Sequence, residues 1–166
     1  YVANGGGVVI FHFALAAFPD WKEYNEIIGL GGWGGRNETW GAYMRWRDGK
    51  IVRDNSPGKT GSHGPSQPFQ LVIREPNHPI TKGLPEKFMH VSDELYGWLR
   101  GPGKNVTVLA TAFAPKDKGG ADEHEPGVAF APDVGIAEAG GVDAGRRRRD
   151  DGIARVLGPD VHVVAE

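Results

Sequence analysis

The 166-residue sequence contains no cysteine, which removes disulfides, thiolate nucleophiles and cysteine-ligated zinc together. That absence does not fix the compartment, so a cytoplasmic and an exported location both stay open. No apolar run approaches the roughly 20 residues that a membrane-spanning helix needs. Neither sign of charge dominates: 19 Lys and Arg stand against 21 Asp and Glu, a formal net charge of −2. No global field therefore draws the chain to nucleic acid or to an anionic membrane. The G-x-S-x-G elbow of serine hydrolases is missing, as is the H-E-x-x-H spacing of a zinc helix. From Gly127 to Glu166 there is no Lys, Ser, Thr, Asn, Gln, Trp, Tyr or Met.

That last stretch divides the chain. Residues 127–166 draw mainly on Gly, Ala, Val, Asp, Arg and Pro and contain the run RRRRDD. They read as an atypical low-complexity tail or as a segment translated out of its proper frame. Arg146 to Arg149 are read as a solvated charge run. Residues 1–126 have the composition of a folded domain with no linker inside it. YVANGGG at the start reads as the last turn of a helix stopped by glycine, which leads us to expect earlier strands upstream.

Glycine (26 residues) and proline (12) are abundant, and five tryptophans are many for this length. GVVIFHFAL at 7–15 and NVTVLATAF at 105–113 are continuous apolar runs, as expected of strands buried on both faces. PDWKEYNEIIG reads as a helix ended by Gly29, with Trp21, Tyr24 and Ile27 or Ile28 on one face. AYMRWRDGKIVRDN is a hairpin signal, two alternating segments around Asp48-Gly49. QPFQLVIRE reads as a strand, NHPITKGLPEKF as a proline-bounded connection, and VSDELYGWL is ambiguous. The expected fold is α/β.

GLGGWG at 29–34 matches the dinucleotide pattern G-x-G-x-x-G letter for letter. The pattern binds pyrophosphate only between a strand and a helix N-terminus. Here a helix precedes it and a hairpin follows, so no NAD is expected. Gly58-Lys59-Thr60 resembles the end of a phosphate loop, but Arg53 stands where the first glycine belongs. Asn37-Glu38-Thr39 and Asn105-Val106-Thr107 are glycosylation sequons, short enough to arise by chance.

His12 is the one polar residue in an apolar strand. His90, Asp93 and Glu94 lie close together in MHVSDELY, His63 sits in a loop, and His124 adjoins Glu125. Such sets serve as acid–base groups or metal ligands. A divalent metal stays open, and with it a metal-dependent hydrolase.

Taken together, the strings ANGGGVVIFHFA, FPDWKEYNEIIGLGGWGGRNETWG, REPNHPITKGLP and HVSDELYGWL closely resemble the trehalose-utilisation (ThuA-like) family, over residues 1 to about 126. That family belongs to the class I glutamine amidotransferase-like superfamily. The resemblance implies a flavodoxin-like three-layer sandwich with a mainly parallel sheet, here incomplete, because members carry about a third of the domain before the equivalent of Tyr1. Their usual ending, a GKGR-like turn and a late histidine, is not found. The superfamily's amidotransferases use a cysteine after a strand, near where His12 falls. Without one, no acyl intermediate can form by that route and glutaminase activity is not expected.

The resemblance further implies sugar metabolism, with trehalose, related disaccharides or their keto derivatives as substrates. A small-molecule sugar is the expected partner, and a homo-oligomer is left open. His12, His90, Asp93 and Glu94 are the candidate catalytic residues. Trp33, Arg36, Asn37, Glu38, Trp40, His63 and His124 are the candidate substrate-binding residues, since aromatic faces and planar polar groups suit sugars. His12, Arg36, His90 and Asp93 are expected to converge on one cleft. The alternative is a non-catalytic carbohydrate-binding or interaction module, with Trp33 and Trp40 on a surface loop.

Overall fold

The computed structural model describes residues 1, 2, 7–32, 34–104, 106–130 and 162–165. Trp33, Asn105, most of YVANGGG and the RRRRDD run lie outside these, so the readings made of them do too. The apolar run at 7–15 yields only a short strand, β1 (Val8–Phe11), because the chain turns at His12 into a 3-10 segment, His12–Ala16. Helix α1 (Lys22–Ile28) follows the Pro19-Asp20 turn and ends at Gly29.

Strands β2 (Tyr43–Arg47) and β3 (Lys50–Asp54) form the expected hairpin, in register from Tyr43 opposite Asp54 to Arg47 opposite Lys50. Asp48 and Gly49 have φ of 51° and 76°, the two left-handed positions of a type I′ turn. β4 (Ser62–His63) and β7 (Tyr96–Gly97) make a separate two-stranded ribbon. β5 (Gln67–Ile73), β6 (Lys87–Asp93), β8 (Thr107–Ala114), β9 (Glu123–Phe130) and β10 (His162–Ala165) complete the large sheet. Its order is β1-β10-β9-β8-β5-β6, with the β2–β3 hairpin joined to β9.

This arrangement corrects the expected mainly parallel flavodoxin-like sandwich. Among the described residues only β1 and β10 pair in parallel, every other pair is antiparallel, and α1 is the one α-helix. The reason lies in the connections. Parallel neighbours need a crossover of a dozen or more residues, usually helical. Here residues 74–86 and 115–122 carry only turns and a 3-10 turn, and these return the chain beside itself. The apolar run at 7–15 is also not buried on both faces, since Val9 and Phe11 are 57% and 67% exposed.

Two apolar clusters fill the interior. Ile10, Leu15, Ile28, Leu30, Met44, Tyr96, Leu99 and Val108 bury the helix and the 3-10 segment against the sheet. Phe69, Leu71, Ile73 and Leu95 pack with the alanines of β8 in the second. Charged groups are buried as well. Arg45 is paired with Glu125 at 2.6 Å, and its guanidinium faces the Tyr43 and Trp98 rings. Arg100 covers Tyr43 at 3.5 Å and donates to the Gly41 and Ser56 carbonyls.

The GLGGWG glycines serve chain packing in this fold. Gly31 exchanges two backbone hydrogen bonds with Arg100. A Cβ on Gly61 (φ 71°) would lie 2.1 Å from the Gly32 carbonyl oxygen, so two backbones touch where side chains cannot fit.

Candidate functional site

His12 follows the last residue of β1 and has φ of 47°. A left-handed conformation is uncommon for a residue with a side chain, and such residues cluster where structure serves function. It places the imidazole beside the end of β6, with Nε2 3.3 Å from Asp93 Oδ1. The same Asp93 oxygen accepts the Glu94 amide at 2.8 Å, which fixes the carboxylate.

A second pair lies alongside. His63 Nδ1 is 3.6 Å from Glu94 Oε1 and 2.9 Å from the Gly64 carbonyl oxygen. Strand pairing sets His63 directly opposite Tyr96. The Tyr96 hydroxyl donates to Glu94 Oε2 at 3.2 Å. Its ring is in contact with both imidazoles, with centroid separations of 5.3 Å to His12 and 5.2 Å to His63. The four polar side chains are 29–45% exposed, within reach of a solute.

Chemically, a histidine beside a carboxylate can serve as an acid–base unit. His12 Nε2 lies at ion-pair distance from Asp93, which leaves Nδ1 as the nitrogen open to a solute. His63, with Nδ1 hydrogen-bonded to the Gly64 carbonyl, keeps Nε2 open. Among the described residues no three His, Asp or Glu side chains are grouped as metal ligands.

The other candidates sit elsewhere. Of the four expected to converge, His12 and Asp93 meet. His90 stacks on Phe69 at 4.9 Å and holds the Val91 carbonyl. Arg36 is buried, donates to Pro19 O and Asn25 Oδ1, and lies 3.9 Å over the Trp40 ring. Burial draws its pKa down to about 10, against the opposing charge of Asp20. Asn37 caps a 3-10 turn by accepting from the Thr39 amide and hydroxyl. Glu38 accepts from its own amide and that of Gly58, which together with Arg100 lowers its pKa. Trp40 is 43% exposed. His124 turns to the opposite face of the sheet, where it meets Thr111.

Tyr96 is a residue that sequence reasoning missed. Its position two residues after Glu94 suits a contact along an extended strand, but the pairing with His63 spans 33 positions and leaves no local trace.

Fold and site together define a β-rich domain that carries two half-exposed histidine–carboxylate pairs at strand ends. The chain belongs to the trehalose-utilisation (ThuA) family, whose sequence model matches residues 1–141. Membership of the class I glutamine amidotransferase-like superfamily is consistent with that match. The structure is similar to that of a ThuA-like protein from Parabacteroides merdae ATCC 43184, with 50% identity and a TM-score of 0.77, covering 82% of this chain and 49% of that one. It also matches a ThuA-like protein from Bacteroides uniformis ATCC 8492 at 27% identity and a TM-score of 0.46, covering 76% and 44%. The chain thus spans about half the length of these relatives. A search of curated proteins finds no match.

Proposed function

We propose that this chain carries an acid–base site for sugar chemistry, acting on trehalose, a related disaccharide or its keto derivative, without glutaminase activity. The observation that carries the reading is the His12–Asp93 pair at a left-handed strand end, with the His63–Glu94 pair also beside Tyr96. Asp93 orients His12, so Nδ1 takes a proton from a sugar hydroxyl or from water, and the imidazolium formed faces a carboxylate. The His63 pair supplies or receives the balancing proton. Phe11 and Phe13 flank His12 in sequence and are 67% and 66% exposed, a disposition suited to the C–H faces of a sugar.

The test is incubation of purified protein with trehalose and with its keto derivative, products separated by chromatography. The reading expects conversion by the wild type and its loss in His12→Asn. A variant that converts as fast as the wild type would overturn it.

One observation favours a second reading, a non-catalytic carbohydrate-binding module: Trp40 is exposed and braced from behind by Arg36. Glycan binding lost in Trp40→Ala but kept in His12→Asn, with no conversion by the wild type, would support it.

A further inference from the structure

Away from the His12 cluster, β5, β8, β9 and β2 bring a second set of polar groups together. Arg74, just past the end of β5, donates from Nε to Thr111 Oγ1 of β8 at 2.9 Å. Thr111 Oγ1 is 3.3 Å from His124 Nδ1 of β9. His124 pairs across the sheet with Trp46 of β2, and the Arg74 guanidinium lies 4.4 Å from the centre of that indole. Phe113 meets the His124 ring edge-on at 5.6 Å. Glu125 turns to the Trp98 amide beside β7, so strand alternation sends its neighbour His124 to the opposite face.

What sets Arg74 apart is that its terminal nitrogens are left open beside an indole and an imidazole, whereas Arg36, Arg53 and Arg100, which also lack a carboxylate partner, spend theirs on carbonyl or amide oxygens. Arg47, on β2, is matched by Glu123 and Asp54 through paired nitrogens. Arg74 is partly buried, uses only Nε, and its two terminal nitrogens have no hydrogen-bond partner among the described residues. No carboxylate lies within ion-pair distance of it among those residues; Glu86 acts on it only through its charge. A planar guanidinium fork held against an aromatic ring, as Arg74 is at 4.4 Å from the Trp46 ring centre, is suited to a two-oxygen partner. The His124 imidazole stands beside it, and the buried Thr111 hydroxyl holds the two together.

We infer that Arg74 and His124, tied together by the buried Thr111 hydroxyl and backed by Trp46, form a binding site for a small oxyanion, a carboxylate or a phosphate, on the sheet face opposite β7. Burial lowers the pKa of both Arg74 and His124, and Arg74 lowers that of His124 further; this is the local field that an anion would relieve. The inference stands apart from the sugar chemistry proposed at His12.

The imidazole proton signals of His124 report the site directly. They are followed against pH while sodium acetate or inorganic phosphate replaces chloride at constant ionic strength. Charged groups bearing on this titration are Arg74, Glu86 beside it, and the Arg47–Glu123–Asp54 network at the neighbouring strands. A bound oxyanion offsets the Arg74 charge, so the His124 titration moves to higher pH and saturates with ligand. Saturation by acetate alone, by phosphate alone or by both identifies the ligand class. Arg74→Gln, checked for folding by circular dichroism, abolishes the response, and Arg74→Lys keeps a weaker one. No saturable shift with either anion, or an equal shift in Arg74→Gln, would overturn the inference.

Discussion

At His12 one residue combines an unfavourable backbone conformation with the chemistry that conformation permits. Because φ is 47°, the substitutions tolerated are set by backbone as well as side chain. Asn enters the left-handed region readily, whereas a β-branched residue there is an outlier. His12→Val is therefore expected to lose about 1–2 kcal/mol of stability relative to His12→Asn, read from urea unfolding. Equal stability of the two would contradict strain at this position. Asp93 positions the imidazole, so Asp93→Asn is expected to lower turnover by about 10²–10⁴-fold while leaving the fold intact. The polar character of His12 within an apolar strand was visible in the sequence, as was the crowding of Asp93 and Glu94. Their meeting was not, because Nε2 of one and Oδ1 of the other belong to residues 81 positions apart.

Elements were legible where their cause is local. The Asp48-Gly49 hairpin and α1 with its Gly29 stop follow from turn chemistry and a 3.6-residue period, and both formed as expected. Strand direction was not legible. A buried apolar run reads the same whether its neighbour is parallel or antiparallel, and the resemblance supplied a direction that the short connections do not allow among the described residues. Glycines separate in the same way. Gly49 (φ 76°) has open space around its missing Cβ, so Gly49→Ala is expected to cost only about 1 kcal/mol for the left-handed conformation. Gly61→Ala adds a backbone collision with Gly32 and is expected to destabilise by clearly more. Thermal unfolding of the two variants side by side checks the order, which similar losses would contradict.

Over the whole molecule, the buried charges Arg45, Glu125 and Arg100 are where stability is most exposed to mutation. Removing one partner of a buried ion pair leaves the other charge uncompensated, so Glu125→Gln is expected to cost about 3–5 kcal/mol. The more exposed Arg47–Glu123 pair is expected to be worth far less. Acid sensitivity follows from histidine. His78 and His124 both titrate below their ordinary 6.5, chiefly through burial. As pH falls through 6.5 the unfolded chain takes up protons before the folded one does, so the two residues withdraw stability as pH falls from 6.5 toward their folded values. Urea midpoints for the wild type and His124→Asn at pH 7 and pH 5 separate these effects: the variant is expected to lose less on acidification, and an equal or greater loss would contradict the assignment to His124. The measurement that reaches the central claim is conversion of trehalose and its keto derivative by the wild type, His12→Asn and Asp93→Asn, each shown to be folded. The expected result is conversion by the wild type and a loss of about 10²–10⁴-fold in both variants; conversion at the wild-type rate by folded His12→Asn would contradict it.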